Sequence, residues 1–393
     1  MRKLSRRTIL ILALLTVLAA GLRFWQLGQP GGITGDEMHF VTDAQAYVAR
    51  EFAFDVHPPF GKQLIALGIW LFGDTPVGWR LMVALFGTLL VPLLFVLGWA
   101  WSGRERVGLG LGFLVAVDGL FVVESRLALL NTTLIFLTVA ALLIGWYARR
   151  PRGWLAVGAA LGLAVATKWV ALFALVPLVS LASTRQHRWW VSVGLLLVGL
   201  TSVYLGVFGL HQSLTGSTVS LVETHAAMVQ HHVGITERHA VESPWWSWPF
   251  NWRPFLYHDG MGPAGRALIA PLGNPMIWWG MLVLAALTLA RHRDSRLLAP
   301  LLTFGTLWLP FAAIGRPMFN YHFMLAAPFL WLMALIGWDA WVGTSRRRLG
   351  LTLVAAALIL TVTAFFWPVL TGQPLADDQL ALRQWLPSWF RAR

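Results

Sequence analysis

Cysteine is absent from this chain, and with it go disulfides, thiolate nucleophiles and thiolate zinc sites. Charge is scarce too. Only 12% of the 393 residues are Asp, Glu, Lys or Arg, about half the share that a soluble domain carries. Lysine occurs only at Lys3, Lys62 and Lys168. There is no internal repeat, low-complexity run or segment of soluble-domain composition. What remains is apolar: 57% of residues are hydrophobic, and 23 are Trp. Runs of about 20 such residues cross a bilayer, so the chain reads as an all-α polytopic membrane protein. The net charge of +13 does not point to nucleic acid. The basic residues form short clusters between apolar runs, as retained cytoplasmic loops do, with no nucleic-acid motif beside them.

The spans fall near 8–27, 81–101, 107–123, 127–147, 154–167, 168–184, 189–210, 275–290, 297–315, 318–341 and 350–369. The start imitates a signal peptide, with Ala19-Ala20-Gly21 as the cleavage site, but the spans that follow need it as an uncleaved first span. The stretch 154–184 is long for one helix and short for two. Charge resolves it. With the N-terminus in the cytoplasm, six basic clusters lie inside: Arg2/Lys3/Arg6/Arg7, Arg104/Arg106, Arg149/Arg150/Arg152, Arg185/Arg188, Arg291/Arg293/Arg296 and Arg346/Arg347/Arg348. Of the acids, only Glu105, Asp294 and Asp339 join them. Splitting 154–184 keeps this positive-inside pattern in phase and gives about eleven spans.

The organisation follows: an N-terminal transmembrane module over 1–210 carrying a long outer loop at 28–80, a second outer loop at 211–273, and a C-terminal module of four helices and a tail over 274–393. Within the first loop, Gln63–Phe72 is apolar but too short to cross, which suits an interfacial or re-entrant helix. The second loop holds His225, His231, His232, His239 and His258, and the run Ser243-Pro-Trp-Trp-Ser-Trp-Pro249. Its indoles suit the headgroup level. The histidine spacings match no ligand set such as HExxH, so no metal site is assigned. Trp385 and Trp389 place the tail on the membrane surface.

Ionisable groups beside a bilayer are costly and generally used. The first loop concentrates them in Gly35-Asp36-Glu37-Met38-His39 and His57-Pro58-Pro59-Phe60-Gly61-Lys62. Asp36 and Glu37 are either a base with its neighbour, or a simple cap for the helix that follows. The two prolines make a rigid turn able to present His57 and Lys62 to one ligand; alternatively Lys62 snorkels to headgroups. Arg23, Arg80, Arg126, Lys168 and Arg316 sit at the outer ends of spans. Converging, they would form a phosphate site; singly, they would be interfacial anchors.

These motifs, in this order, resemble the protein O-mannosyltransferase family of GT-C glycosyltransferases, which use polyprenyl-phosphate-mannose. The likeness runs end to end. It includes the Asp36-Glu37 loop, His57 to Lys62, Gly78-Trp79-Arg80, Asp118-Gly119, Ser125-Arg126, Thr167-Lys168-Trp169, His239 to Trp252, Gly273-Asn274-Pro275 and Arg316 to His322. The resemblance implies a GT-C-like fold with Asp36 and Glu37 as the catalytic pair. It places Arg23, His57, Lys62, Arg80, Arg126, Lys168, Arg316 and His322 around the donor. The donor would be a substrate, with no cofactor or metal needed. The acceptor would be Ser or Thr of secreted proteins at the outer face of the cytoplasmic membrane, with the secretion machinery as a further partner beside membrane lipids. The chain is shorter than most members, lacks the lumenal repeats of the eukaryotic enzymes, and has Asn131 where many have Asp. A lipid or glycan acceptor is the alternative within this chemistry. A lipid-linked-sugar flippase is the alternative outside it, although transporters tend to show paired repeats and broken helices, whereas the polar residues here gather at one face.

Overall fold

A computed structural model describes residues 3–53, 56–262, 264–292, 294–342 and 346–390. Arg2 and Arg293 of the basic clusters lie outside the described residues, as does the side chain of Arg347. The first span is α1, Arg6–Phe24, which starts where the Ser5 hydroxyl accepts the Thr8 amide. Loop 28–80 folds into α2 (Glu37–Ala49) and α3 (Phe60–Phe72) before α4 (Pro76–Ser102) crosses again. Thr75 caps α4 and Pro76 opens it, the pairing that suits a helix start. At 13 residues, α3 is about 20 Å long, short of the roughly 30 Å hydrocarbon core. It buries Ile65, Ala66 and Ile69 and leaves Leu67, Trp70, Leu71 and Phe72 on its outer side.

The span expected over 107–123 is two helices, α5 (Glu105–Val117) and α6 (Gly119–Glu124), broken at Asp118. Its carboxylate accepts from the Leu120 and Phe121 amides, and also from the Asn274 amide at 2.8 Å and the Trp278 indole at 2.9 Å. The break is therefore anchored to a helix more than 150 residues away, which periodicity cannot show. Next come α7 (Asn131–Tyr147), α8 (Gly153–Val165), a 3-10 turn at Trp169–Ala174 and α9 (Leu175–Arg185). Arg185 donates to the Trp146 carbonyl at 2.8 Å and Gln186 to that of Ala148 at 2.7 Å, whereas Lys168 meets Asn131 at the other end of α7. The 154–184 stretch thus runs out and back, as two helices joined at Lys168. Against α8 lies α10 (Trp189–Thr215). A Cβ on Gly158 would sit 2.0 Å from the Leu196 carbonyl oxygen, so this backbone contact needs glycine, a common device between membrane helices.

The second outer loop begins with α11 (Leu221–Gly234), held by a Ser220/Glu223 capping box, and continues through a turn at Trp245–Phe250. It is not wholly helical. Strands β1 (His258–Gly262) and β2 (Gly265–Ile269) form a hairpin, and β3 (Pro374–Leu375), from beyond the last span, pairs with β2. The sequence His258-Asp-Gly-Met-Gly lacks the β-branched alternation that would announce a strand. The remaining helices are α12 (Pro275–Arg291), α13 (Leu298–Trp308), α14 (Ala327–Trp341), α15 (Arg346–Thr371) and α16 (Asp377–Arg383). Five helical stretches among the described residues are long and apolar enough to cross a membrane alone, and the shorter apolar helices pack between them. The tail is docked rather than lying loose: Trp389 is fully buried with its indole on the Asn251 carbonyl, and Arg383 holds the Phe365 carbonyl.

Candidate active site

The first loop is shaped by a turn that only glycine fits. Gly35 has φ +50, and a Cβ there would lie 2.9 Å from the Tyr257 ring. This turn sets the adjacent acids to different tasks. Asp36 occupies the cap position of α2, but its side chain does not cap; it lines a cavity. Glu37 is fully buried, and its two oxygens accept five hydrogen bonds: from Arg80 Nε and Nη2, Thr34 N and Oγ1, and the Ala128 amide. Arg80 spends its other donors on the carbonyls of Leu27, Pro30 and Gly32. A buried ion pair satisfied on all sides like this is a framework element, and losing either partner strands a charge.

Three arginines expected at the donor are engaged elsewhere. Besides Arg80, Arg23 is fully buried and bonds the Ala19, Val115 and Ala116 carbonyls, tying α1 to the end of α5. Arg126 gathers the carbonyls of Leu22, Arg23, Trp25 and Gln26 at the end of α1, where carbonyls have no partner within the helix. None of the three lines the cavity. Lys62 is also diverted. Its ammonium pairs with Asp43 at 2.9 Å and the His57 carbonyl at 3.1 Å, pinning α3 to α2. Of the cations expected to converge, Lys168 and Arg316 line the cavity, whereas Arg23, Arg80, Arg126 and Lys62 do not.

The cavity has a volume of about 720 Å³ and brings Asp36, His57, Asn131, Lys168, Arg316 and His322 together from five separate parts of the chain. Lys168, at the joint between α8 and the following turn, donates to Asn131 Oδ1 at 2.9 Å and stands over the Tyr321 ring. His322 stacks on Trp248, whose indole is buried against Ser243 instead of lying among headgroups; Trp246 is the exposed member of that run. His57 lies in the first loop beside His232 of α11, with ring centres 5.3 Å apart. Burial, and then the positive charges of Lys168, His232, Lys62 and Arg316, push the His57 pKa well below the usual histidine value. His57 is therefore neutral at physiological pH.

The histidines of the second loop have separate hydrogen-bonding or packing partners, although His231 and His232 lie side by side. His225 bonds Tyr204, His232 bonds the Val56 carbonyl, and His239 packs on Phe319. The cavity lies at the end of α7 and α8 opposite Arg149, Arg150 and Arg152, since Asn131 begins α7 and Lys168 follows α8. Chemically, it holds a carboxylate facing into a space shared with an ammonium and a guanidinium. Such a site can take a proton from one group while neutralising an anion on another.

Sequence reasoning missed Glu124 and Tyr257. Glu124 is fully buried, accepting from the Tyr257 hydroxyl at 2.6 Å and from Asn131 Nδ2 at 2.9 Å. An acid closing the apolar run Phe121-Val122-Val123 was a signal in itself. Tyr257 gave none, because its place depends on a hairpin.

Comparison with known proteins agrees with this architecture. The family model for dolichyl-phosphate-mannose-protein mannosyltransferase matches residues 13–79 and 74–211, and that for the C-terminal four-span region of protein O-mannosyltransferase matches 218–389. The polyprenol-phosphate-mannose–protein mannosyltransferase of Mycobacterium tuberculosis is 31% identical, over 97% of this chain and 91% of that one. The protein of the same name from Corynebacterium glutamicum is 27% identical over 96% and 92%. Among solved structures, the Saccharomyces cerevisiae protein O-mannosyltransferase Pmt1–Pmt2 complex bound to the sugar donor superposes with a TM-score of 0.86 at 16% identity, covering 99% of this chain and 93% of that one. ArnT from Cupriavidus metallidurans bound to undecaprenyl phosphate gives 0.65 at 19% identity, covering 92% and 64%. These two likenesses speak for the GT-C fold. The near-complete sequence relatives and family models go further: this multi-pass membrane chain belongs to the protein O-mannosyltransferase family.

Proposed function

We propose that this protein transfers mannose from polyprenyl-phosphate-mannose to Ser or Thr hydroxyls of exported polypeptides. One observation carries the reading: Asp36 shares a single cavity with Lys168 and Arg316. Asp36 takes the proton of the acceptor hydroxyl, whose oxygen attacks the anomeric carbon of the mannose. The bond from that carbon to the phosphate oxygen breaks, and polyprenyl phosphate leaves with the electron pair. Lys168 and Arg316 meet the charge that develops on the departing phosphate. Neutral His57 offers a hydrogen bond to the sugar or phosphate without adding charge, and His322 lines the same space. With hydroxyl and phosphate on opposite faces, a single displacement inverts the sugar carbon. Glu37 and Arg80 hold the loop that presents Asp36, and Arg23 and Arg126 fix the end of α1 from which that loop starts.

By the positive-inside rule, the face bearing Arg149, Arg150 and Arg152 is cytoplasmic. The N-terminus then lies inside, and the cavity opens on the outer face of the cytoplasmic membrane, where exported chains emerge. The test is incubation of membranes containing the full chain with labelled polyprenyl-phosphate-mannose and a Ser/Thr-bearing acceptor. Label in protein, lost in Asp36→Asn, is expected. Label that enters only lipid or glycan would sink the protein-acceptor reading, and donor movement across the bilayer without transfer would point to a flippase.

A further inference from the structure

Behind the cavity wall lies a carboxylate outside the reaction scheme. Glu124 ends α6, is fully buried and does not line the cavity. Its Oε2 accepts from Asn131 Nδ2 at 2.9 Å, and Asn131 Oδ1 accepts from the Lys168 ammonium, also at 2.9 Å. Its Oε1 accepts from the Tyr257 hydroxyl at 2.6 Å. Tyr257 packs directly on Gly35, next to Asp36, and lies parallel to Tyr321, over which Lys168 stands.

We infer that Glu124 is a positioning residue, setting the cation and the base of one site against each other from behind. The inference rests on the mannosyl-transfer reading above and deepens it. The chemistry lies in the order of donors and acceptors. An ammonium only donates and a carboxylate only accepts. An amide between them has one allowed orientation, oxygen toward Lys168 and nitrogen toward Glu124. The carboxylate therefore dictates which way Asn131 points, and Asn131 dictates where the Lys168 ammonium rests. Through its other oxygen, the same carboxylate fixes the Tyr257 ring against which the Gly35–Asp36 turn is built. Both reacting sides are thus referred to one buried anion, and misplacing catalytic groups by about 1 Å can cost a hundredfold in rate.

This ordering makes a specific exchange informative. In Glu124→Gln, the new amide has one acceptor where two are needed. If its nitrogen faces Asn131, two donors oppose each other; if it faces Tyr257, the phenolic proton loses its acceptor. In Asn131→Asp, two carboxylates oppose each other, and a shared proton is required. The double variant Glu124→Gln/Asn131→Asp restores every pairing: Tyr257 donates to the Gln oxygen, the Gln nitrogen to the Asp carboxylate, and Lys168 to the same carboxylate.

The experiment uses the purified full chain with labelled polyprenyl-phosphate-mannose and a Ser/Thr peptide. Label leaving the donor is counted in peptide, lipid and water-soluble fractions together. A wrong acceptor class, which would overturn the functional reading, then leaves the ranking of the variants readable. Each single variant is expected to lose about 10- to 100-fold in kcat per folded molecule, with donor KM changing by less than about threefold. The double variant is expected to recover kcat to within about fivefold of the wild type. The inference is overturned if the single variants turn over like the wild type. It is overturned equally if the double variant is no better than the weaker single one, or if all three fail to fold, which would make Glu124 a framework residue only.

Discussion

Adjacent acids with opposite surroundings make a sharp experiment. Glu37 has no exposed surface, and each of its oxygens accepts one N–H of Arg80 together with a backbone amide, from Ala128 or Thr34. In Glu37→Gln, whichever way the amide turns, its nitrogen opposes both an Arg80 donor and a backbone donor. Arg80 becomes a buried cation without its counter-ion. Breaking such a pair costs about 3–5 kcal/mol, a large part of the roughly 5–15 kcal/mol that keeps a protein folded. At about 2 °C per kcal/mol for a chain of this size or somewhat smaller, that is a drop in Tm of roughly 6–10 °C. Asp36 makes no capping bond to α2 and lines the cavity, and Asp36→Asn keeps its shape and its acceptor oxygen while removing the base. Its Tm is expected within about 2 °C of the wild type, while turnover falls about 10²- to 10⁴-fold, the usual worth of a positioned base. Thermal unfolding in detergent and mannosyl transfer per folded molecule give both numbers. A stable but inactive Glu37→Gln, paired with an active Asp36→Asn, would exchange the two roles and refute the reasoning.

Three further outcomes follow from the geometry. Lys168→Met and Arg316→Gln each remove a cation from the cavity, and a charged hydrogen bond is worth about 1.5–3 kcal/mol; kcat/KM for the donor should fall at least tenfold with the acceptor KM steady, as donor titrations would show. Arg126→Gln frees carbonyls at the end of α1 and should lower Tm while leaving the donor KM within about twofold, the reverse of what a phosphate ligand would do. His57 is held neutral in the folded chain, so its folded pKa lies below the unfolded value. Between those two values the unfolded chain binds more protons, and stability rises with pH. The contribution is complete above about pH 6.5 and is lost as pH falls below it; His57→Gln should flatten the fall in Tm between about pH 7 and pH 5, and an unchanged slope would rule out this origin.

Much of the architecture was written in composition. Apolar runs of bilayer length, and basic clusters alternating with acidic loops, determine a multi-pass helical protein by themselves, because hydrocarbon leaves the backbone few alternatives. The same scarcity of charge singled out Asp36, His57, Lys168, Arg316 and His322, which line one cavity. What the order of residues could not decide was what each charged group faces. Asp36 and Glu37 are neighbours in the chain, yet one lines the cavity and the other accepts from five buried donors. Arg23, Arg80 and Arg126 look like phosphate ligands but end on carbonyls contributed by segments up to about a hundred residues away. The hairpin carrying Tyr257, the break at Asp118 and the anchoring of Glu124 rest on partners distant in sequence. Burial makes those pairings obligatory, since a polar group shut away from water takes whichever partner the packed helices bring to it, and only their packing decides which one that is.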